Sequence, residues 1–224
     1  MRRYLFPIIS GIIGCAILIS LGTWQLKRLA WKEEMLAEIQ SRIDSPPKTV
    51  LPAAYEPAMK YEPIEVTGRT TGEEILILSG THDLGGGYQV VSAFDTFDGR
   101  RILIDRGFIP QDDRRNPRPP VDLRIVGNIH WPEEKNSSTP EPNLTEGIWF
   151  ARDVPQMAAA LKTEPFLIVA AAVEGDSQGI QPMPIAITGI PNKHLEYAAT
   201  WFMLAVIWAG MTVGLIWRIR QRKY

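Results

Sequence analysis

Apolar and polar positions follow three different rhythms along this chain. From Tyr4 to Leu26, and again from Tyr197 to Trp217, no charged residue occurs, and both stretches are rich in Ile, Leu, Val, Ala, Phe and Trp. At ~1.5 Å of rise per residue, helices over these stretches reach ~31–34 Å, enough to cross a hydrocarbon core of ~30 Å. The pattern therefore predicts a membrane α-hairpin, with transmembrane helices over 4–26 and 194–217. Past the first charge-free stretch the helical rhythm continues. Trp24 to Ile43 contains neither Gly nor Pro, and Leu29, Leu36 and Ile43 recur every seven residues with Ile39 between them. A helical extension over 27–45 is expected, stopped at Ser45-Pro46-Pro47 because proline cannot continue a helix and restricts the residue before it.

Beyond Pro63 the period drops to two. Ile64, Val66 and Gly68 alternate with Glu65, Thr67 and Arg69, which predicts a half-buried strand. Ile75-Leu76-Ile77-Leu78 reads as a separate short strand buried on both faces. Gln89–Phe97 and Arg100–Ile109 flank Asp98-Gly99, a strong hairpin signal. Further strands are expected at Leu123–Trp131, Ile148–Ala151, Phe166–Val173 and Ile185–Thr188. Asp153 is placed to cap a short helix through Leu161, with Pro155 in its first turn. Pro110–Pro120 and Pro132–Gly147 lack periodicity and read as exposed loops, and Gly85-Gly86-Gly87 as a flexible turn. Residues 46–190 should thus form one mainly antiparallel β, barrel-like soluble domain with a short helix.

Charge orients this architecture. All 25 Asp and Glu, but only 18 of the 24 Lys and Arg, lie between residues 27 and 196. Arg2 and Arg3 precede the first span, and the tail over 218–224 carries Arg218, Arg220, Arg222 and Lys223. Basic residues at span ends are retained in the cytoplasm, so both termini should be cytoplasmic and the acidic central domain periplasmic. Lys27, Arg28 and Lys32 run against this rule, beside a large translocated domain. The first apolar run exceeds the length of a cleaved signal and ends at Trp24, an interfacial residue type, which favours an uncleaved anchor. Ile12-Ile13-Gly14-Cys15 has the form of a lipidation site, yet cleavage there would leave a second apolar run at the new N-terminus. Cys15 is the single cysteine, so an intramolecular disulfide framework and a CxxC metal or redox site are excluded. With no Arg- and Ser-rich organellar presequence, the bacterial inner membrane is the expected location. The acidic domain with scattered basic residues resembles no nucleic-acid module.

Candidate chemistry is sparse. Asp95, Asp98 and Asp105 are close in sequence but Asp98 belongs to the hairpin turn, and no GxSxG, HExxH or phosphate-loop motif occurs. Arg106-Gly107-Phe108 reads either as a functional surface or as a strand-terminal bulge. Of the three histidines, His82 sits in a Gly-rich turn and His130 beside Trp131, and both read as surface or satisfied structural residues. His194 differs. It opens the second span behind Asn192, a good N-cap type, and Tyr197, Trp201, Leu204 and Trp208 follow at three- and four-residue steps on the same helical face. Tyr197 and Trp201 suit an interfacial aromatic belt. A neutral imidazole heading an aromatic stripe also suits haem iron, with the stripe covering a flat macrocycle. Trp24, Gln25, Lys27 and Arg28 end the other span at the same depth, where a cation such as Arg28 would meet a propionate. Met203 is nine residues from His194, ~13 Å along a helix, so it and His194 cannot grip one haem from both faces.

Gly22-Thr23-Trp24-Gln25 with Arg28 and Trp31-Lys32, then Asp105-Arg106-Gly107-Phe108-Ile109-Pro110, then Asn192-Lys193-His194-Leu195-Glu196-Tyr197-Ala198 with Thr200-Trp201-Phe202 resemble the surfeit locus protein family of cytochrome c oxidase assembly factors. The likeness spans nearly the whole chain and keeps the order of these blocks; Phe108 stands where the family often has Trp. The resemblance implies an accessory protein, not an enzyme, that helps place haem a into the large subunit of a haem–copper oxidase, with that subunit and haem a synthase as partners. It also implies haem a binding at His194, the histidine before the second span; by position along the two spans, Tyr197, Trp201, Trp24 and Arg28 are the residues expected around it. The competing expectation is a scaffold for oxidase subunits that never binds haem, resting on the exposed loops and the helical extension. A membrane-anchored hydrolase would need a nucleophile and base that the sequence does not offer.

Overall fold

The structure, a computed structural model, describes residues 2–81, 85–143, 146–187 and 190–221. It divides into two compact units, residues 1–38 with 187–224, and residues 39–186. His82, Arg222, Lys223 and the expected strand end at Thr188 lie outside the described residues.

The first unit holds most of helix α1 (Arg2–Ile43) and helix α3 (His194–Gln221), which begins immediately before the last charge-free stretch. Both are long and apolar enough to cross a membrane, and only 11% and 6% of their most apolar windows is buried within the chain. Neither is therefore the buried core helix of a soluble fold. The chain is a membrane protein with two spans. Pro7 lies in the second turn of α1, where it removes one helical donor. The other end of α1 stops where Ser45 Oγ donates to the Arg42 carbonyl at 2.8 Å, ahead of the two prolines.

In the second unit, β1 (Pro63–Thr81), β2 (Gly85–Thr96), β3 (Arg101–Pro110), β4 (Asp122–His130) and β6 (Leu167–Gly175) close a five-stranded barrel among the described residues. The ring runs β1-β2-β3-β6-β4 and returns to β1; only the β3–β6 contact is parallel. The short β5 (Ile148–Trp149) adds to β1 in parallel. The anticipated hairpin joins β2 to β3: Thr96 N–H donates to the Arg100 carbonyl at 2.8 Å across Asp98-Gly99. Helix α2 (Val154–Leu161) starts as anticipated, Asp153 Oδ1 accepting from the Gln156 amide.

Three elements depart from expectation. The strands expected around Ile64 and around Ile75 are one strand, kinked where pairing to β2 shifts register between Thr70 and Glu74. Beyond the kink it is not buried on both faces: Ile75 and Ile77 are buried but Leu78 is exposed. Gly85-Gly86-Gly87 is no loose turn, since it opens β2 and pairs with Thr81, Gly80 and Ser79. Ile185–Ile187 forms no strand, because Pro182 and Pro184 remove the donors a ladder needs.

Alternation sorts neighbouring side chains of β3 between two of three buried clusters. Ile102 and Ile104 of β3 join Ile64, Phe94, Ile125 and Ile168 in one cluster; Leu103 between them joins Val91, Trp149 and the α2 residues Val154, Met157 and Leu161 in another. A strand covered on both faces needs a continuous apolar run, which is what β3 carries.

Candidate functional site

The two long helices meet along a seam of small residues. On α3, Ala198 and Ala205 are buried, seven residues apart. On α1, a side chain at Gly14 would collide with the Trp208 indole, and one at Gly22 with the Phe202 ring. The Trp208 Nε1–H donates to the Ser10 carbonyl at 3.3 Å, and the Cys15 thiol to the Ala205 carbonyl at 3.7 Å. Trp208 is thus part of the helix–helix packing, and the stripe expected to cover a macrocycle loses its far end to the seam.

At the head of this seam His194, the first residue of α3, meets Gln25 of α1: His194 Nδ1 lies 2.8 Å from Gln25 Oε1. An amide oxygen only accepts, so Nδ1 is the donor in this contact, and in the neutral ring Nε2 is the nitrogen with the lone pair. His194 is half-buried and Nε2 has no hydrogen-bond partner among the described residues. Nearby, Lys32 Nζ donates to the Pro191 carbonyl, tying the approach to α3 onto α1. Asn192 does not cap the helix as its residue type suggests. Its Oδ1 is buried without a partner, and the first helical bond runs from Tyr197 N–H to the Lys193 carbonyl at 3.1 Å.

The other expected site residues are distributed around this pair. Trp24 and Tyr197 are exposed, 56% and 54%, and Trp201 is half-buried. Arg28 is exposed with its guanidinium 3.9 Å over the Trp31 ring, a cation–π contact that occupies one face of the cation. Met203 and Met211 are both exposed on the outer side of α3. Gln25 is the functional candidate that residue-type reasoning passed over. Its signal was spacing: Gly11, Gly14, Gly22 and Gln25 step along one face of α1 at intervals that return to the same side.

A second polar cluster lies within the barrel unit. Asp105 is fully buried in β3; its Oδ2 pairs with Arg152 Nη1 at 2.9 Å and its Oδ1 accepts from the Gly107 amide at 3.2 Å. Arg152 also binds Glu134, Nε to Oε1 at 2.9 Å. Burial raises the Asp105 carboxyl to about 6 despite the opposing pull of Arg152. His130 is not the satisfied histidine anticipated: its Nδ1 is buried without a partner, and burial with Arg152 and Lys60 nearby lowers it to about 4. Between the two strands Val90 faces Gly107 and Val91 faces Asp105, so Arg106 is the extra residue of a bulge. Its buried guanidinium donates to the Ser177 carbonyl and Gln178 Oε1 at 3.2 and 3.0 Å. The Arg106-Gly107-Phe108 block is accounted for as a bulge that laces residues 177–181 onto β3.

These features can be set beside known proteins. Residues 12–206 match the model of the SURF1 family. A SURF1-like protein of Rickettsia felis is 30% identical over 207 residues, covering 87% of this chain and 90% of its own. One of Rickettsia conorii is 30% identical over 224 residues, covering 95% and 90%. Surfeit locus protein 1 of Homo sapiens is 29% identical over 217 residues, covering 83% of this chain and 69% of its own. The matched region takes in Gln25, the whole barrel and His194, and the chain belongs to the SURF1 family.

Proposed function

We propose that the protein is an assembly factor for a haem–copper cytochrome c oxidase, holding haem a at the head of the α1–α3 seam for delivery to the oxidase large subunit. The observation that carries this reading is the His194–Gln25 pair, which leaves an imidazole Nε2 free at the end of a membrane helix. Such a nitrogen suits ferric or ferrous haem iron as an axial ligand. Haem a is cargo in this reading, and haem a synthase the partner that supplies it. His194 is the ligand, Trp201 and Tyr197 pack against the macrocycle, Trp24 covers it from α1, and Arg28 pairs with a propionate on its face away from Trp31. A single protein ligand leaves the other side of the iron to water or to the receiving subunit, which suits a carrier that must let go. The basic residues beyond both spans support cytoplasmic termini in a bacterial inner membrane, with the barrel unit periplasmic.

The test is the absorption spectrum of protein purified from cells that make haem a. The wild type should carry a haem a spectrum, and His194→Ala should lose it while still inserting and folding. His82→Ala and His130→Ala should keep it. Deleting the gene should lower the haem a content of the oxidase large subunit while other respiratory complexes stay intact. Copurification of haem with His194→Ala at the wild-type ratio and spectrum would reject the ligand. The scaffold that binds oxidase subunits without haem would then stand.

A further inference from the structure

We propose that Gln25 is a positioning residue which sets the tautomer of His194 and so decides which ring nitrogen can meet iron; this rests on the haem-holding reading above. A free neutral imidazole side chain favours the proton on Nε2, the tautomer that has no lone pair facing outward from that nitrogen. The 2.8 Å contact from Nδ1 to Gln25 Oε1 reverses that preference, because an acceptor at Nδ1 stabilises only the Nδ1–H form. The acceptor comes from a different helix, 169 residues away in sequence. Ligand geometry is therefore a property of the closed α1–α3 pair and not of α3 alone. Gln25 is held in place by its own helix and by the seam packing at Gly22, one turn away. Outer partners of this kind orient a metal-bound imidazole, raise its basicity, and typically change metal affinity 10- to 100-fold when removed. A neutral amide gives the weaker version of this effect, with less imidazolate character than a carboxylate would confer. That moderation fits a protein whose ligand must be surrendered.

The experiment separates this proposal from the haem reading. First, nitrogen-15 NMR of histidine-labelled full-length protein in detergent, without haem, reads the tautomer directly, the His194 signal being assigned by its loss in His194→Ala. Above the histidine titration, the wild type should show a protonated Nδ1 and a bare Nε2, and Gln25→Leu should move the population to Nε2–H. An unchanged population in Gln25→Leu would overturn the proposal whatever the protein binds. Second, the same proteins are loaded with purified haem a, and affinity and the iron–histidine stretch of the ferrous form are measured. Gln25→Leu should lose roughly 10-fold in affinity and lower the stretch. Gln25→Glu should restore affinity and raise the stretch above the wild type, which a merely structural role for residue 25 would not do. Equal stretches in all three would overturn the positioning role while leaving His194 as ligand. Failure of all three to take up haem, with the tautomers as expected, would overturn the haem reading and with it the role assigned to Gln25.

Discussion

Single residues in this protein are constrained by what sits within a few ångströms of them. Gly107 has φ of +120°, and a side chain there would strike the Gln181 carbonyl as well as adopt a backbone conformation that L residues avoid. Gly107→Ala should therefore destabilise the barrel unit by about 2 kcal/mol or more, read as a lower midpoint in chemical denaturation followed by tryptophan fluorescence. The same substitution at Gly147, which has open space around it, should cost less, since only backbone strain is involved. His194 was singled out from the sequence by its place ahead of an aromatic stripe. Its partner was not, because the spacing that sets Gln25 on the glycine face of α1 acquires meaning only when another helix delivers a histidine to it. Asp105 was equally hidden: one carboxylate after Ile102-Leu103-Ile104 gives no hint that Arg152, 47 residues on, completes the pair.

At the scale of elements, local chemistry was legible and pairing was not. The Asp98-Gly99 turn and the Asp153 cap both act over a few residues, and the structure has them where the sequence puts them, whereas the run expected to be buried on both faces, Ile75-Leu76-Ile77-Leu78, is not. The fusion of two expected strands into β1 depends on β2 following across a register shift, a partnership that no window of the sequence contains. The prolines at 182 and 184 should have outweighed the apolar alternation around Ile185. Helix pairing makes its own prediction. Cys15 faces the Ala205 carbonyl and Ala205 is buried in the seam, so Ala205→Cys should crosslink to Cys15 under mild oxidation. Ala199→Cys, exposed on another face of α3, should not crosslink. Adding Gly14→Leu to Ala205→Cys should slow the crosslinking severalfold by driving Trp208 out of its place. Equal rates at 199 and 205 would contradict the packing.

For the whole barrel unit, two buried groups set opposing responses to pH. Asp105 is raised by burial to about 6, so its contribution to stability is full below its ordinary 3.8 and is lost as pH rises through 6. His130 is lowered to about 4, so its contribution is full above its ordinary 6.5 and is lost as pH falls through 4. Between pH 4 and 6 the two slopes oppose, and the stability of the unit should change little. Asp105→Asn should uncover the histidine, giving stability that drops on acidification. His130→Phe should uncover the aspartate, giving stability that rises by about 2 kcal/mol from pH 6 to 4. Burial alone would raise Glu134, yet Arg152 holds it low, so it adds acid sensitivity toward the bottom of this range in every variant. Denaturation midpoints measured from pH 4 to 7 on the full chain decide it; parallel curves for the three proteins would refute the compensation.

The closed ring also has a consequence for how the molecule is made. The barrel cannot close until β6 has entered between β3 and β4, because each of those strands has its other neighbour already in β2 or β1. Every strand from Pro63 onward therefore waits for residues up to Gly175 before the last ladder forms. Loop closure over such separations is slow compared with helix formation. Synthesis then reaches His194 only 19 residues beyond the end of β6, so the second half of the seam arrives last. A ribosome stalled with residue 175 emerged would hold a completable barrel and an α1 with Gln25 facing no histidine. The contact between His194 and Gln25 is thus among the last that the nascent chain can make, and a product that ends at residue 175 never forms it.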